Sequence, residues 1–137
     1  MLTVHPLQHK LGKRIVHTKY GKMRGIYIVP KDHRLQPVEG FLGVPYARPP
    51  VGELRFNPPV TPLAWEDVKI CNETPPVCPQ VRPEVNKDII PLERIKFIKK
   101  LTSYLKKQRE DCLYMNIYLP YIGKFLITHV ILKTGCL

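Results

Sequence analysis

Residues 41–56, FLGVPYARPPVGELRF, begin as an apolar run, break into prolines and close on Arg55-Phe56. Working outward, Val38 to Val44 has the composition of a strand, and Gly40 and Gly43 inside it point to close backbone approach or a bulge. Pro45, Pro49, Pro50, Pro58, Pro59 and Pro62 then exclude a helix interior or a central strand, because each removes a backbone donor and fixes φ near −65°. An extended loop is expected there, with Phe56 and Trp65 as its apolar anchors. Upstream, Arg14 to Thr18 reads as a short strand, Lys19 to Lys22 as a turn in which Gly21 supplies a positive φ, and Met23 to Val29 as the returning strand. With Val38–Val44 this hairpin makes a small β-meander.

The composition fits one modest domain: 137 residues, 44% hydrophobic and 24% charged, which argues against wholesale disorder. Against 22 Lys+Arg stand 11 Asp+Glu, so the net charge of +11 attracts acidic partners and by itself names none. The excess is local. Eight basic residues and one acid, Asp32, lie between Lys10 and Arg34, and seven more basic residues lie between Arg94 and Arg109. The leader MLTVHPLQHKLGKR is interrupted by His5, Pro6, Gln8, His9 and Lys10, so a signal peptide is not expected. The longest apolar candidate, Phe125 to Leu132, contains Thr128 and His129 and falls short of the roughly 18 residues of a membrane span; a further strand is the alternative there.

Residues 67–91 read as a second proline-rich loop. In LERIKFIKKLTSYLKKQ, residues 92–108, the apolar Leu92, Ile95, Ile98, Leu101, Tyr104 and Leu105 suggest one face of an amphipathic helix, with Lys96, Lys99, Lys100, Lys106 and Lys107 on the rest. Such a helix lies on a membrane or nucleic acid, or docks by its apolar face with its lysines solvated; the docked arrangement is expected, with no nucleic acid and no membrane contact. Leu113 to Leu119 is a β-rich run of the kind that enters a buried sheet.

Catalytic and metal patterns are missing. The only serine, Ser103, lies within the expected helix without a Gly-x-Ser-x-Gly elbow. His5, His9, His17, His33 and His129 show no metal-ligand spacing with one another or with cysteine. No glycine loop of the phosphate-binding kind occurs, so no cofactor is expected. Cys71, Cys78, Cys112 and Cys136 would be thiols in a reducing compartment and bridges in an oxidising one. Asn72-Glu73-Thr74 is a glycosylation acceptor sequence, which weighs toward export.

FLGVPYARPPVGELRFNPP, then Trp65, then Val77-Cys78-Pro79-Gln80, then Glu110-Asp111-Cys112-Leu113-Tyr114-Met115-Asn116-Ile117-Tyr118 resemble the amino-terminal part of the type-B carboxylesterases and cholinesterases. The resemblance covers residues 14–120 and implies the α/β class, an α/β-hydrolase fold that opens with the small meander. Residues 1–13 are left as a leader and 121–137 as a divergent tail. The helix-bearing segment between Cys78 and Cys112 resembles that of neuroligins, the adhesion branch that has usually lost esterase activity, and RIVHTKYGKMRGIYIVP is similar to arthropod neuroligin-like chains.

The resemblance implies a disulfide between Cys78 and Cys112, with Cys71 and Cys136 not paired to each other. It also implies an ion pair between Arg55 and Glu110, expected to be partly buried beside Phe56 and Leu113. Removing one member of such a pair would cost roughly 3–5 kcal/mol. The family's oxyanion glycines, nucleophile elbow and catalytic acid and histidine lie beyond Pro120, where the similarity ends. The expectation is therefore a non-catalytic, amino-terminal fragment of a neuroligin-like ectodomain. Its full-length parent would be a single-pass cell-surface protein with a neurexin-like partner. The alternatives are the beginning of a true carboxylesterase and an independent basic binding module.

Overall fold

A computed structural model describes residues 10–84, 90–121 and 133–134. Its elements in chain order are β1 (Leu11–Thr18), β2 (Gly21–Ile28), β3 (Val38–Pro45), a 3-10 turn (Gly52–Leu54), β4 (Lys69–Ile70), α1 (Leu92–Tyr104), β5 (Tyr114–Pro120) and β6 (Lys133–Thr134). The strands form one sheet ordered β1-β2-β3-β5-β6, with β4 added on β2. All pairings are antiparallel except β2 with β4. A small, mostly antiparallel sheet with one helix is thus what the described residues build.

The hairpin closes where Thr18 faces Gly21. The Thr18 hydroxyl donates to the Gly21 carbonyl at 2.8 Å and accepts from the Tyr20 amide at 3.2 Å. Gly21 has φ +146°, and a Cβ there would collide with Trp65. Trp65 is fixed on the turn by two bonds that it donates, from its amide to the Tyr20 carbonyl at 2.8 Å and from its indole N–H to the Lys22 carbonyl at 2.7 Å.

β3 pairs with β2 only at Ile26–Ile28, opposite Val38–Gly40. Beyond that point the two strands part and residues 69–72 enter between them: the Cys71 amide donates to the Arg24 carbonyl at 2.8 Å, and the Leu42 amide donates to the Cys71 carbonyl at 3.0 Å. On its other edge β3 slips by one residue against β5 between Phe41 and Val44. Gly43 takes up that bulge with φ +72°, and its amide donates to the buried Asn116 side chain at 2.9 Å. Strand alternation, shifted in phase by the bulge between Phe41 and Val44, puts Phe41, Met23, Val44 and Cys71 in one apolar cluster and Ile26, Ile28 and Leu42 in another.

Several expectations need correction. β1 begins at Leu11, three residues earlier than read, because the strand continues through an irregular register between Leu11 and Ile15. The 67–91 loop hides β4, a strand of two residues that composition cannot flag. Phe56 is no anchor: it is 92% exposed, in a left-handed conformation (φ +62°), with the Arg55 guanidinium 5.1 Å from its ring centroid.

The helix stops at Tyr104 rather than at residue 108, since Gln108 bridges to Val77 instead. Its buried residues are Ile95 and Ile98, with Leu105 buried just past the end, while Leu92 and Tyr104 are exposed. A strict three-residue spacing drifts by about 60° per step on a helix of 3.6 residues per turn, so it cannot keep six positions on one face. The run 125–132 lies outside the described residues, as does Cys136.

Candidate functional site

The tripeptide Glu110-Asp111-Cys112 stands one residue, Leu113, ahead of β5, and each of its residues holds a different piece of chain. Cys112 is joined to Cys78 by a disulfide with Cα atoms 5.0 Å apart. Asp111 accepts a hydrogen bond from the Tyr114 hydroxyl at 3.0 Å. Glu110 meets Arg55 at 2.7 Å, which reaches it from within the proline-rich loop, just after the 3-10 turn. The loop itself is pinned by the Arg48 amide, which donates to the Val60 carbonyl at 2.8 Å, and by the Tyr46 amide, which donates to the Leu113 carbonyl at 3.2 Å.

The Arg55–Glu110 pair departs from the expected environment. Its side chains are 56% and 42% exposed, so water screens the attraction and leaves no desolvated charge behind when either is removed. The large single-mutant penalty of a buried pair does not apply to it.

The helix-bearing segment between the two cysteines is fastened at its base by more than sulfur. The Val77 amide donates to the Lys107 carbonyl at 3.0 Å, and the Arg109 amide returns a bond to the Val77 carbonyl at 3.1 Å. The Gln108 side-chain carbonyl accepts from the Gln80 amide at 2.9 Å, and its NH2 donates to the Leu105 carbonyl at 3.0 Å beyond the last helical turn. The segment therefore leaves and rejoins the body of the protein through a short, two-stranded neck. Glutamines carry no sequence signal for such a neck, and Gln80 and Gln108 were not foreseen.

Asn72 is exposed, immediately after the buried Cys71. It lines a shallow groove of about 380 Å³ together with Gly43, Pro75 and Tyr114. Cys71 carries a free thiol, and burial pushes its ionisation upward, away from a reactive thiolate, with Lys69 opposing weakly. Ser103 donates its hydroxyl to the Lys100 carbonyl at 2.7 Å, a bond within its own helix that engages the proton a base would have to remove.

A second charged site was invisible to motif reading. Glu39, the second residue of β3 and opposite both Tyr27 and Leu119, is 3% exposed. Burial pushes its carboxyl above the ordinary value, and Arg14, 3.6 Å away on β1, pulls it partly back. The available signal was an acid placed inside an apolar strand, Val38 to Val44. Among the described residues no group of three or more His, Cys, Asp or Glu is placed to hold a metal ion, and no helix is long and apolar enough to cross a membrane.

Comparison with known proteins fits this geometry. The profile of the carboxylesterase family matches residues 12–125. Neuroligin-3 of Mus musculus is 40% identical over 106 residues, covering 77% of this chain and 13% of that protein. Neuroligin-2 of Homo sapiens is 39% identical over 107 residues, with 77% and 13% covered. Neuroligin-1 of Caenorhabditis elegans is 39% identical over 113 residues, with 78% and 14% covered. The chain thus spans between an eighth and a seventh of the length of these curated relatives. By the extent of the match and the identity of the relatives, this chain belongs to the carboxylesterase family and is neuroligin-like within it.

Proposed function

We propose that this chain forms part of a neuroligin-like adhesion ectodomain and has no esterase chemistry of its own. The observation that carries the reading is the similarity to neuroligins at 39–40% identity over more than three quarters of the chain. The clamped, helix-bearing segment between Cys78 and Cys112 supports it, because the resemblance to neuroligins rests on that segment. In this reading the disulfide, the Arg55–Glu110 pair and a glycan on Asn72 belong to an oxidising, extracellular setting. The full-length protein sits at the cell surface and engages a neurexin-type receptor. Catalysis is not expected from the chain, since Ser103 lies on a solvent-facing helix and bonds only to its own backbone.

Two measurements test this. The full-length protein is expected to bind a neurexin-type ectodomain in a surface-capture assay, and no binding would remove the adhesion role. The purified chain is expected to show no hydrolysis of a short-chain ester above an unfolded control. Turnover that Ser103→Ala abolishes would overturn the absence of esterase chemistry in this chain, whereas a serine in the nucleophile elbow of the full-length protein would favour the other reading that the family match allows, a true carboxylesterase.

A further inference from the structure

Leu11–Arg14, the first half of β1, does not run in plain register. β1 advances four positions from Leu11 to Ile15 while β2 advances two, from Ile26 to Arg24, so this stretch bulges out of the ladder. β1 is the end strand of the sheet, and a bulge there ordinarily does no more than twist the edge away from other chains. This one also covers Glu39. A Cβ on Gly12 would stand 2.6 Å from the Glu39 Oε1, which places the Gly12 backbone against the carboxylate. Tyr27 and Leu119 flank Glu39 within the sheet, and Gly12 stands over it.

Such a pocket suits an acid in its neutral form. Arg14, exposed on the bulge itself, is the one ion-pair partner of Glu39 among the described residues, and at 3.6 Å it lies beyond hydrogen-bond distance. From β2 the site is faced by Tyr27 and by Arg24, whose Nε donates to the Gly12 carbonyl at 2.6 Å. From β5 it is faced by the apolar Leu119, while Tyr118 packs with the cluster on the opposite face. Lys10 and Lys13 are exposed beside it. The bulge is held down by the Arg24–Gly12 bond and by the Tyr27 amide, which donates to the Lys10 carbonyl at 2.9 Å. Both bonds come from β2, so lifting the bulge leaves the β3–β5 pairing intact.

We propose that Leu11–Arg14 is a pH-sensitive latch, closed over a neutral Glu39 in acid and released once the carboxyl ionises. Burial holds the closed-state proton above the ordinary carboxyl value, with Arg14 opposing. Closure is therefore fully favoured below the ordinary value and weakens as pH rises through the raised one. Release hydrates the carboxylate and leaves the edge of β2 at Tyr27 unpaired. In the cell-surface setting proposed above the latch is shut in an acidic lumen and loose outside the cell, but its existence rests on Gly12, Arg14 and Glu39 alone.

The Tyr27 amide reports on the latch, and the Leu42 amide, bonded to the Cys71 carbonyl in the centre of the sheet, reports on global unfolding. Hydrogen exchange of the oxidised 137-residue chain is followed by NMR from pH 4 to 8 and corrected for intrinsic exchange. Tyr27 protection is expected to fall by about threefold or more over this range, by no more than about tenfold per pH unit, and then to level off. At pH 8 Tyr27 should exchange at least about tenfold faster than Leu42. Glu39→Gln should abolish the pH dependence at Tyr27, and Arg14→Met should lower Tyr27 protection more at pH 8 than at pH 4. Circular dichroism checks that both variants fold, and carbon-13 NMR of the Glu39 carboxyl reads its titration in the wild-type chain without any variant.

Equal protection of Tyr27 and Leu42 at pH 8 would mean that water reaches Glu39 only by global unfolding, and would overturn the latch. A pH dependence that survives in Glu39→Gln would assign it to another group and do the same. A Glu39 midpoint at or below the ordinary glutamate value would remove the driving force.

Discussion

Arg55 and Glu110 lie 2.7 Å apart, yet both face water. A double-mutant cycle with Arg55→Met and Glu110→Gln should therefore return a coupling of about 0.2–1 kcal/mol in urea denaturation, with each single change costing less than about 1 kcal/mol. A single-mutant loss beyond 3 kcal/mol would contradict the exposed geometry. Motif spacing could suggest that these two residues meet; it could not reveal how much water surrounds them, because exposure depends on how Phe56 turns away from the body. Glu39 is the opposite case. Its raised carboxyl means that the folded protein holds this proton more tightly than the unfolded chain does. Stability contributed here therefore falls as pH rises from the unfolded value through the raised folded value, and stays lower above it. Glu39→Gln should flatten that part of the stability–pH curve and leave the neutral-pH protein at least as stable, whereas Arg14→Met should steepen the fall. Thermal melts across pH 4–8 would show it, and an unchanged profile for Glu39→Gln would remove Glu39 as the source.

Among the elements, the hairpin and β3 were readable because the turn glycine and the β-branched residues mark them, although the irregular start of β1, Leu11 to Lys13, was missed. β4 was not, since Lys69 and Ile70 gain their strand geometry only from the gap that β2 and β3 leave between them. The helix was legible in existence and start, but not in its end. Residues 107–109 are recruited by Val77 and Gln80, partners 28 or more positions away in sequence, and local propensity cannot see them. That recruitment ties the helix segment to its disulfide. Closing a loop with a separation of 34 residues removes chain entropy worth about 4 kcal/mol at 25 °C. The double variant Cys78→Ala/Cys112→Ala should lose roughly 3–4 kcal/mol in chemical denaturation. A loss under 1 kcal/mol would mean that the neck holds without the bond.

At the scale of the whole molecule, two kinds of long-range contact coexist, and hydrogen exchange should separate them. The Leu42 and Cys71 amides belong to residues 2% and 1% exposed, and their bonds join β2, the inserted 69–72 segment and β3 in the centre of the sheet. They can exchange only when the sheet itself opens, so their protection should approach the global unfolding free energy. The Val77 and Arg109 amides lie in the neck, bonded across an isolated bridge that, among the described residues, is outside the named strands of the sheet. Their protection should depend on the disulfide that fixes the neck. The Asn57 amide, in the exposed turn after the 3-10 segment and bonded only to Leu54 at 3.3 Å, should exchange fastest of the group. Under reduction, Val77 and Arg109 are expected to fall toward the Asn57 rate while Leu42 and Cys71 lose only the protection that corresponds to the lowered global stability. If reduction instead released all four together at equal rates, the helix segment and the sheet would be one cooperative unit, and the neck would not be the hinge between them.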